Sequence, residues 1–564
     1  MSVNTRIAVF VICIILTAGF NLSIAEMLIP QQAPVPVRTA SELSERTGFI
    51  APPIDLSHLA NGRPPARFST LTAPERWDWR AEGKVTSVRD QGACGSCYAF
   101  AAIANFEAKM LVDDAGTFDF SENNAKECNW YETSCDGGNN YQMADFFAKG
   151  GTVLEACDPY VASDVSCNSA CTQIKTLLDW RAISGDNVPA TSVLQDYIYE
   201  NGPVYTTLYA GDGSAPAWSS EFGSYDGSYV LYYTGAYDPN HAVCIVGWDD
   251  TLTHAGGQGA WIVKNSWGTS WGGTCGYGAE GGYFKIAYGS ASIGKWSSYV
   301  YNWQDYDDEG DIKYHDEGGW TSSWGFSSNT TCFGLSKYVP TANTYLTRVE
   351  FWTNDATTDI DVYIYDDFNG LALSDALASR LNSTFDEAGY HSIALTTPLA
   401  ITTGDEIYAV VKITNATAAY PIVCDNQGTP ESATTYISLD GQNNSWYDLG
   451  LNQSDDVGIR IRTSSAVGIN DNALNLPSSS MLVKNYPNPF NSSTTIEYNL
   501  PEAGHVLLQV YDILGRHIET LTSDYYQAGS YQTLWDSKDM PSGLYFYKLQ
   551  SGKSVQTNGM LLLK

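Results

Sequence analysis

The sequence predicts an α+β region followed by an all-β one, and three observations predict it. Ala99, Ile103, Phe106 and Met110 recur at steps of four, three and four, which puts one apolar stripe on a helix that starts at Cys97. Farther along, Ala242 to Val246 and Trp261 to Val263 are short apolar runs that read as buried strands. From about residue 301 the helical period disappears. Ile360-Asp361-Val362-Tyr363-Ile364 and Val457-Gly458-Ile459-Arg460-Ile461 alternate between Gly/Asp/Asn turns, and Leu346 to Trp352, His391 to Leu395 and Glu406 to Ile413 are further strands. This is the pattern of a β-sandwich.

At 564 residues the chain is too long for one domain. A net charge of −33 with no long basic run excludes nucleic acid as a partner. Residues 1–25 read as a secretory signal: Arg6 supplies the positive start, Ile7 to Phe20 is almost wholly apolar, and Ser23-Ile24-Ala25 offers a small-residue cleavage point. The apolar run is short for a span of about 20 residues, and Asn21 and Ser23 end it. No other segment is long and apolar enough to span, so no stable membrane span is expected. Export places the remaining cysteines in an oxidising compartment. Of 12 cysteines Cys13 leaves with the signal, and the odd remainder leaves at least one thiol unpaired within the chain. Residues 26–72, with prolines from Pro30 to Pro36, at Pro52-Pro53 and at Pro64-Pro65, read as a propeptide or a linker.

The stretch Gln91-Gly-Ala-Cys94-Gly-Ser-Cys97-Tyr98-Ala-Phe100 carries the first chemistry. A cysteine at a helix N-terminus faces the positive end of the macrodipole and free backbone N–H groups, and both favour the nucleophilic thiolate. Cys97 is thus a candidate nucleophile. A structural disulfide is the competing reading. A zinc site would need a second close ligand pair, and the chain has no second Cys-x-x-Cys.

Ala73-Pro-Glu-Arg-Trp-Asp-Trp-Arg80, leading into Val85 to Phe100, resembles the start of the mature domain of papain-family cysteine peptidases. Further blocks follow in the family's order. They are Phe120 to Asn123 with Cys128 and Cys135-Asp-Gly137-Gly138; Asn240-His241 to Trp248; Trp261 to Gly268 with Trp271-Gly272; and Gly281 to Phe284. The resemblance covers about residues 73 to 300 and implies a two-lobed papain-like fold. It implies Cys97 as nucleophile, His241 as its base, Asn265 orienting His241, Trp267 shielding that bond, and Gln91 as a side-chain oxyanion donor. Gly137 and Gly138 would pair with an extended peptide substrate. It also implies disulfides Cys94–Cys135 and Cys128–Cys167, with Cys157–Cys171 as a further candidate, Cys244 as a free buried thiol and Cys275 unassigned. The histidine inventory agrees. Only His241 and His254 of seven lie inside the domain, and His254 sits beside Gly256 and Gly257 in what reads as an inserted loop. The chemistry needs no metal and no organic cofactor. The segment before residue 73 lacks the long helical pattern of many family proforms.

Residues 301–465 resemble the lectin-like domain behind some prokaryotic papain-type peptidases, with a glycan as the implied partner and a plain spacer as the alternative. Cys332 and Cys424 are a candidate bridge there. Acidic runs such as Asp305 to Asp308 and Asp366-Asp367 read as solvated surface. Residues 466–484 form a linker. Asn485 to Asn491, Val510 to Arg516 and Pro541 to Tyr547 resemble the C-terminal sorting domain of type IX secretion, a small immunoglobulin-like β-sandwich over 485–564 that would engage the secretion machinery.

The expected function is a secreted or cell-surface cysteine endopeptidase acting on protein or peptide substrates through a thioester acyl-enzyme. The alternative is a surface glycan-binding adhesin with a vestigial peptidase domain; an acyl or amide transferase using the same residues is a third reading.

Overall fold

The computed structural model describes residues 29–36, 46–61, 73–131, 133–442, 444–465, 483–486, 490–500, 504–513, 516–526, 529–538, 540–551 and 554–562. The expected signal at 1–25 and most of the expected linker, 466–482, lie outside them. Two compact units result, residues 1–470 and 471–564.

The first unit opens with a short strand, β1 (Gln31–Gln32). Two helices build one lobe: α1 (Cys97–Val112) and α2 (Asn140–Lys149). The stripe read from the sequence is buried, as is nearly all of α1 from Cys97 to Met110, and Phe106 and Met110 pack in one core with Met143 and Phe147 of α2. Asn139 caps α2 through a reciprocal capping box with Gln142.

The second lobe is a sheet of β2 (Arg76–Asp78), β3 (Lys175–Ala182), β4 (Val204–Leu208), β5 (His241–His254), β6 (Gly257–Lys264), β7 (Tyr283–Ala287) and β8 (Lys295–Asp305). Val243, Ile245, Val263 and Phe284 form its core with Trp218 and Phe222. The sequence reading of an inserted loop at Gly256 to Gly259 is corrected here. β5 and β6 continue as a hairpin, His254 pairing with Gly257, so the added residues lengthen two strands and leave the register at His241 intact.

The middle module contributes β9 (Asp311–Lys313), β10 (Ser322–Gly325), β11 (Thr331–Tyr338), β12 (Thr344–Thr353), β13 (Thr358–Phe368), β14 (Leu373–Phe385), β15 (Ala388–Ile401), β16 (Ile407–Asn415), β17 (Ile422–Asp425), β18 (Thr435–Ser438), β19 (Trp446–Asp448), β20 (Asp456–Val457) and β21 (Ile459–Ser464). One face is the six-stranded sheet β14-β13-β16-β11-β18-β19. The opposite sheet is continuous with the peptidase-like lobe. Its order is β7-β6-β5-β4-β8-β3-β15-β12-β21-β9, and the junction pairs Trp180 with Tyr390 and Ala182 with Ala388. Leu346, Val349, Ile360, Val362, Ile459 and Ile461 fill the space between the sheets.

Buried ion pairs stitch the same junction. Arg181 Nη1 donates to Glu387 Oε2 at 2.7 Å, and Arg460 Nε donates to both carboxylate oxygens of Asp316 at 2.9 and 3.0 Å while its Nη2 reaches Asp145 of α2. Each arginine has a second carboxylate, Asp179 for Arg181 and Asp145 beside Asp316 for Arg460, so the buried charges are paired as small networks.

Cys94–Cys135, Cys128–Cys167 and Cys157–Cys171 are bonded. Cys332 and Cys424 are not: both are free and buried, and that candidate bridge is withdrawn. They stand on strands of different sheets, β11 and β17. Each sulfur instead meets a carbonyl, that of Ser438 for Cys332 and that of Ile422 for Cys424.

The second unit is a sandwich of the sheets Val483–Tyr486, Ser493–Leu500, Gly529–Asp536 and His517–Tyr526, Gly504–Asp512, Gly543–Ser551, Ser554–Leu562. Ile496, Leu508, Val510, Trp535, Tyr547 and Leu549 form its core.

Candidate active site

The Cys94–Cys135 bridge pins the turn before α1, with Gly95 N donating to Cys135 O at 3.1 Å. α1 then begins at Cys97 itself. Its sulfur is fully buried and accepts from two backbone amides, Ala242 N at 3.4 Å and Gly48 N at 3.2 Å. Ala242 follows His241 at the start of β5, so the thiol sits against the strand that carries the imidazole.

His241 Nε2 and Asn265 Oδ1 are 2.8 Å apart. The same oxygen accepts from Ser266 N at 2.9 Å, which fixes it as the carbonyl end of the amide. Nε2 therefore carries the proton, and Nδ1, which has no hydrogen-bond partner, is the basic nitrogen. The Trp267 ring lies 5.0 Å from the imidazole, and Phe222 lies 6.5 Å away at 72°. These rings keep water from the Asn265 bond.

Gln91 is buried and held at both ends of its amide. Oε1 accepts from Ser266 Oγ at 2.6 Å, and Nε2 donates to Cys94 O at 2.8 Å and to Arg46 O at 3.3 Å. Sequence reasoning missed Ser266, although it lies between two residues singled out. It also missed Tyr160, whose hydroxyl donates to Gln91 O at 2.8 Å and meets Ser96 Oγ at 2.7 Å. No local pattern marks Tyr160, because the contact spans 69 residues.

Residues 46–50 run through this cleft. Gly138 N donates to Gly48 O at 2.8 Å, Ile50 N donates to Gly138 O at 3.0 Å, and Phe49 N donates to Asn240 O at 3.0 Å. Trp267 Nε1 donates to Arg46 O at 3.3 Å. The glycines are needed for this approach: a Cβ on Gly48 would sit 1.6 Å from Gly95 O, and one on Gly137, at φ +107°, 2.7 Å from Gly48 O. The atom presented to Cys97 is an amide N–H and not a carbonyl carbon, so the segment occupies the cleft without offering a bond to attack.

That cover changes the electrostatics expected from the helix N-terminus. Burial pushes the Cys97 thiol up to about 11, although Ala242 N and Gly48 N pull the other way, and burial lowers His241 to about 4 against its bond to Asn265. Both shifts favour the neutral thiol and the neutral imidazole in the covered site.

The profile of the papain family cysteine proteases matches residues 73–302. Residues 73–302 belong to the papain family. A lectin-like domain follows at 312–462 and a secretion system C-terminal sorting domain at 484–562. The papain domain is 32% identical over 223 residues to cysteine proteinase 2 of Entamoeba histolytica, covering 36% of this chain and 63% of that protein. It is 33% identical over 242 residues to digestive cysteine proteinase 1 of Homarus americanus, covering 40% of this chain and 66% of that protein. The chain thus spans 63% and 66% of the length of these curated relatives. A crystal structure of the cysteine protease and lectin-like domains of a surface-layer-associated protein of Clostridium difficile shares the fold, with a TM-score of 0.61 at 18% identity over 78% of this chain and 98% of that one.

Proposed function

We propose that the papain domain is a cysteine endopeptidase held latent by residues 46–50. The observation that carries this reading is a thiol at the start of α1 packed on the strand whose histidine is tied, 2.8 Å away, to Asn265. With the cleft open, Nδ1 of His241 takes the Cys97 proton. The thiolate attacks the substrate carbonyl carbon, and the oxyanion is held by Gln91 Nε2 and the Cys97 N–H. The imidazolium gives its proton to the leaving amine as the C–N bond breaks, which leaves a thioester. Water, deprotonated by His241, then releases the acid and restores the thiol. Asn265 keeps the ring's Nε2 proton in place throughout. Gly138 pairs with the substrate backbone as it now pairs with Gly48 and Ile50, and Gly137 leaves room for the close approach.

The sorting domain supports an exported chain, secreted or displayed at the cell surface. The lectin-like domain shares a sheet with the papain domain, so glycan binding there would act beside the same cleft.

The test is an epoxysuccinyl thiol probe on the chain freed of residues 29–61, read by peptide mass spectrometry. Selective labelling of Cys97 that falls in His241→Ala, together with hydrolysis of a fluorogenic peptide, is the expected result. An unlabelled Cys97 in the freed, folded chain overturns the reading.

A further inference from the structure

The segment that fills the cleft is also held away from it. β10 pairs with β17 on one side and with β1 on the other, and β1 ends that four-stranded sheet among the described residues. Gln31 stands opposite Gly325 and Gln32 opposite Trp324, while Ala33 N donates to Ser323 O at 2.7 Å. In an antiparallel ladder alternate residues turn their amides to the partner. Ala33 faces β10, so Gln31 does too, and residues 30, 32, 34 and 36 face away. Pro30, Pro34 and Pro36 fall on outward positions. There a missing N–H costs no ladder bond, and proline stiffens the extended conformation and blocks a further strand from adding outside.

On the other flank of the cleft, Leu56 is buried with its backbone against Gly185, His58 Nε2 meets Asn354 O of the lectin-like domain at 2.8 Å, and Asn187 Nδ2 donates to Ser57 O at 2.9 Å. The cleft residues thus lie between two anchors.

We propose that the outer edge of β10 is a binding site for an extended peptide strand and that residues 29–36 are its resident ligand. Main-chain hydrogen bonds supply the recognition, as in strand addition to a sheet edge generally. The site gives the lectin-like domain a role in latency. A single cut between residues 62 and 72 leaves the cleft segment held by the strand on β10 and by the contacts of Leu56 to His58, and loss of the strand weakens that hold. The latency consequence rests on the function proposed above; the edge site itself does not.

The experiment uses the full chain carrying Cys97→Ala, so no catalysis intervenes, with a protease recognition sequence placed between residues 62 and 72. After the cut, native mass spectrometry follows the released N-terminal fragment. It should stay with the body, and Ala33→Pro, which removes the donor to Ser323, should speed its dissociation about tenfold. A labelled synthetic peptide of residues 29–36 should bind the Ala33→Pro chain by fluorescence anisotropy, and the same peptide N-methylated at Ala33 should not. Equal dissociation of the two fragments, or equal binding of the two peptides, overturns the proposal. An inactive peptidase would leave both readouts unchanged, so the two readings fail separately.

Discussion

Gly48 N donates to Cys97 Sγ across 3.2 Å, so a residue 49 positions upstream closes over the nucleophile. The glycine is required because its Cα lies against the backbone of Gly95 in the turn that launches α1. Gly48→Ala places a methyl 1.6 Å from Gly95 O, which only withdrawal of the segment relieves. Overpacking of this kind costs about 1–3 kcal/mol or more. The expected outcome is thiol-probe labelling of Cys97 about tenfold faster or more than in the unaltered chain. Unchanged labelling would mean that the segment does not guard the thiol.

Gln91 and Ser266 should behave as one unit in the opened enzyme. Gln91→Ala removes an oxyanion donor and should lower kcat about 10²- to 10³-fold with little change in KM. Ser266→Ala frees the Gln91 carbonyl and should give a smaller fall in kcat. The double variant should be no worse than Gln91→Ala alone, since Ser266 acts through Gln91. Additive losses would show that Ser266 has another role.

Latency should weaken in acid. The imidazole of His241, ordinarily near 6.5, is lowered to about 4 by burial beneath the segment, against its Asn265 bond. Between those values an open or unfolded form holds a proton that the covered form lacks. The covered form therefore loses stability as pH falls from about 6.5 toward 4, by up to about 3 kcal/mol, and is insensitive to this group above 6.5. The faces packed on the ring are Trp267, Phe222 and Asn265, none of them charged. Probe labelling of Cys97 across pH 4–7, corrected for the pH dependence measured in a Gly48→Ala chain, checks this; a flat corrected profile would refute it.

The papain and lectin-like domains should unfold together. Glu387→Leu removes the carboxylate that takes Arg181 Nη1 at 2.7 Å and the Tyr299 hydroxyl at 3.2 Å, at the junction of β3 and β15. Arg181 keeps its two bonds to Asp179, so the loss should fall below the about 3–5 kcal/mol that a wholly unpaired buried charge costs. Urea unfolding followed by tryptophan fluorescence should show one cooperative transition for the two domains, shifted to lower urea in the variant. Separate transitions for the two would contradict the continuous sheet.

How much of this was legible depended on the range of the interaction that carried it. The helix at Cys97 and the strands at His241, Trp261 and Val349 follow from apolar periods a few residues long. Cys97, His241, Asn265 and Gln91 were readable because each stands in a distinctive short motif. Ser266 lay within such a motif and still escaped, since its task is set by a partner 175 positions away. Cys332 and Cys424 are the two cysteines of one module and a natural candidate pair, yet both are free, each sulfur meeting a backbone carbonyl. No local pattern marks the partners of the proline-rich start: among its described residues, β10 supplies a strand partner to 31–33, Gly138 pairs with Gly48 and Ile50, and Gly185 admits Leu56.

The sequence by itself determined the order of the modules, the helix and strand identities and the chemical groups of the site, because those reside in local periodicity and residue type. Tertiary structure alone decided that the cleft is filled, that burial pushes the thiol's pKa up, and that two modules share one sheet. Each of these depends on desolvation and on backbone hydrogen bonds between segments distant in the chain, and no local pattern of side chains records them.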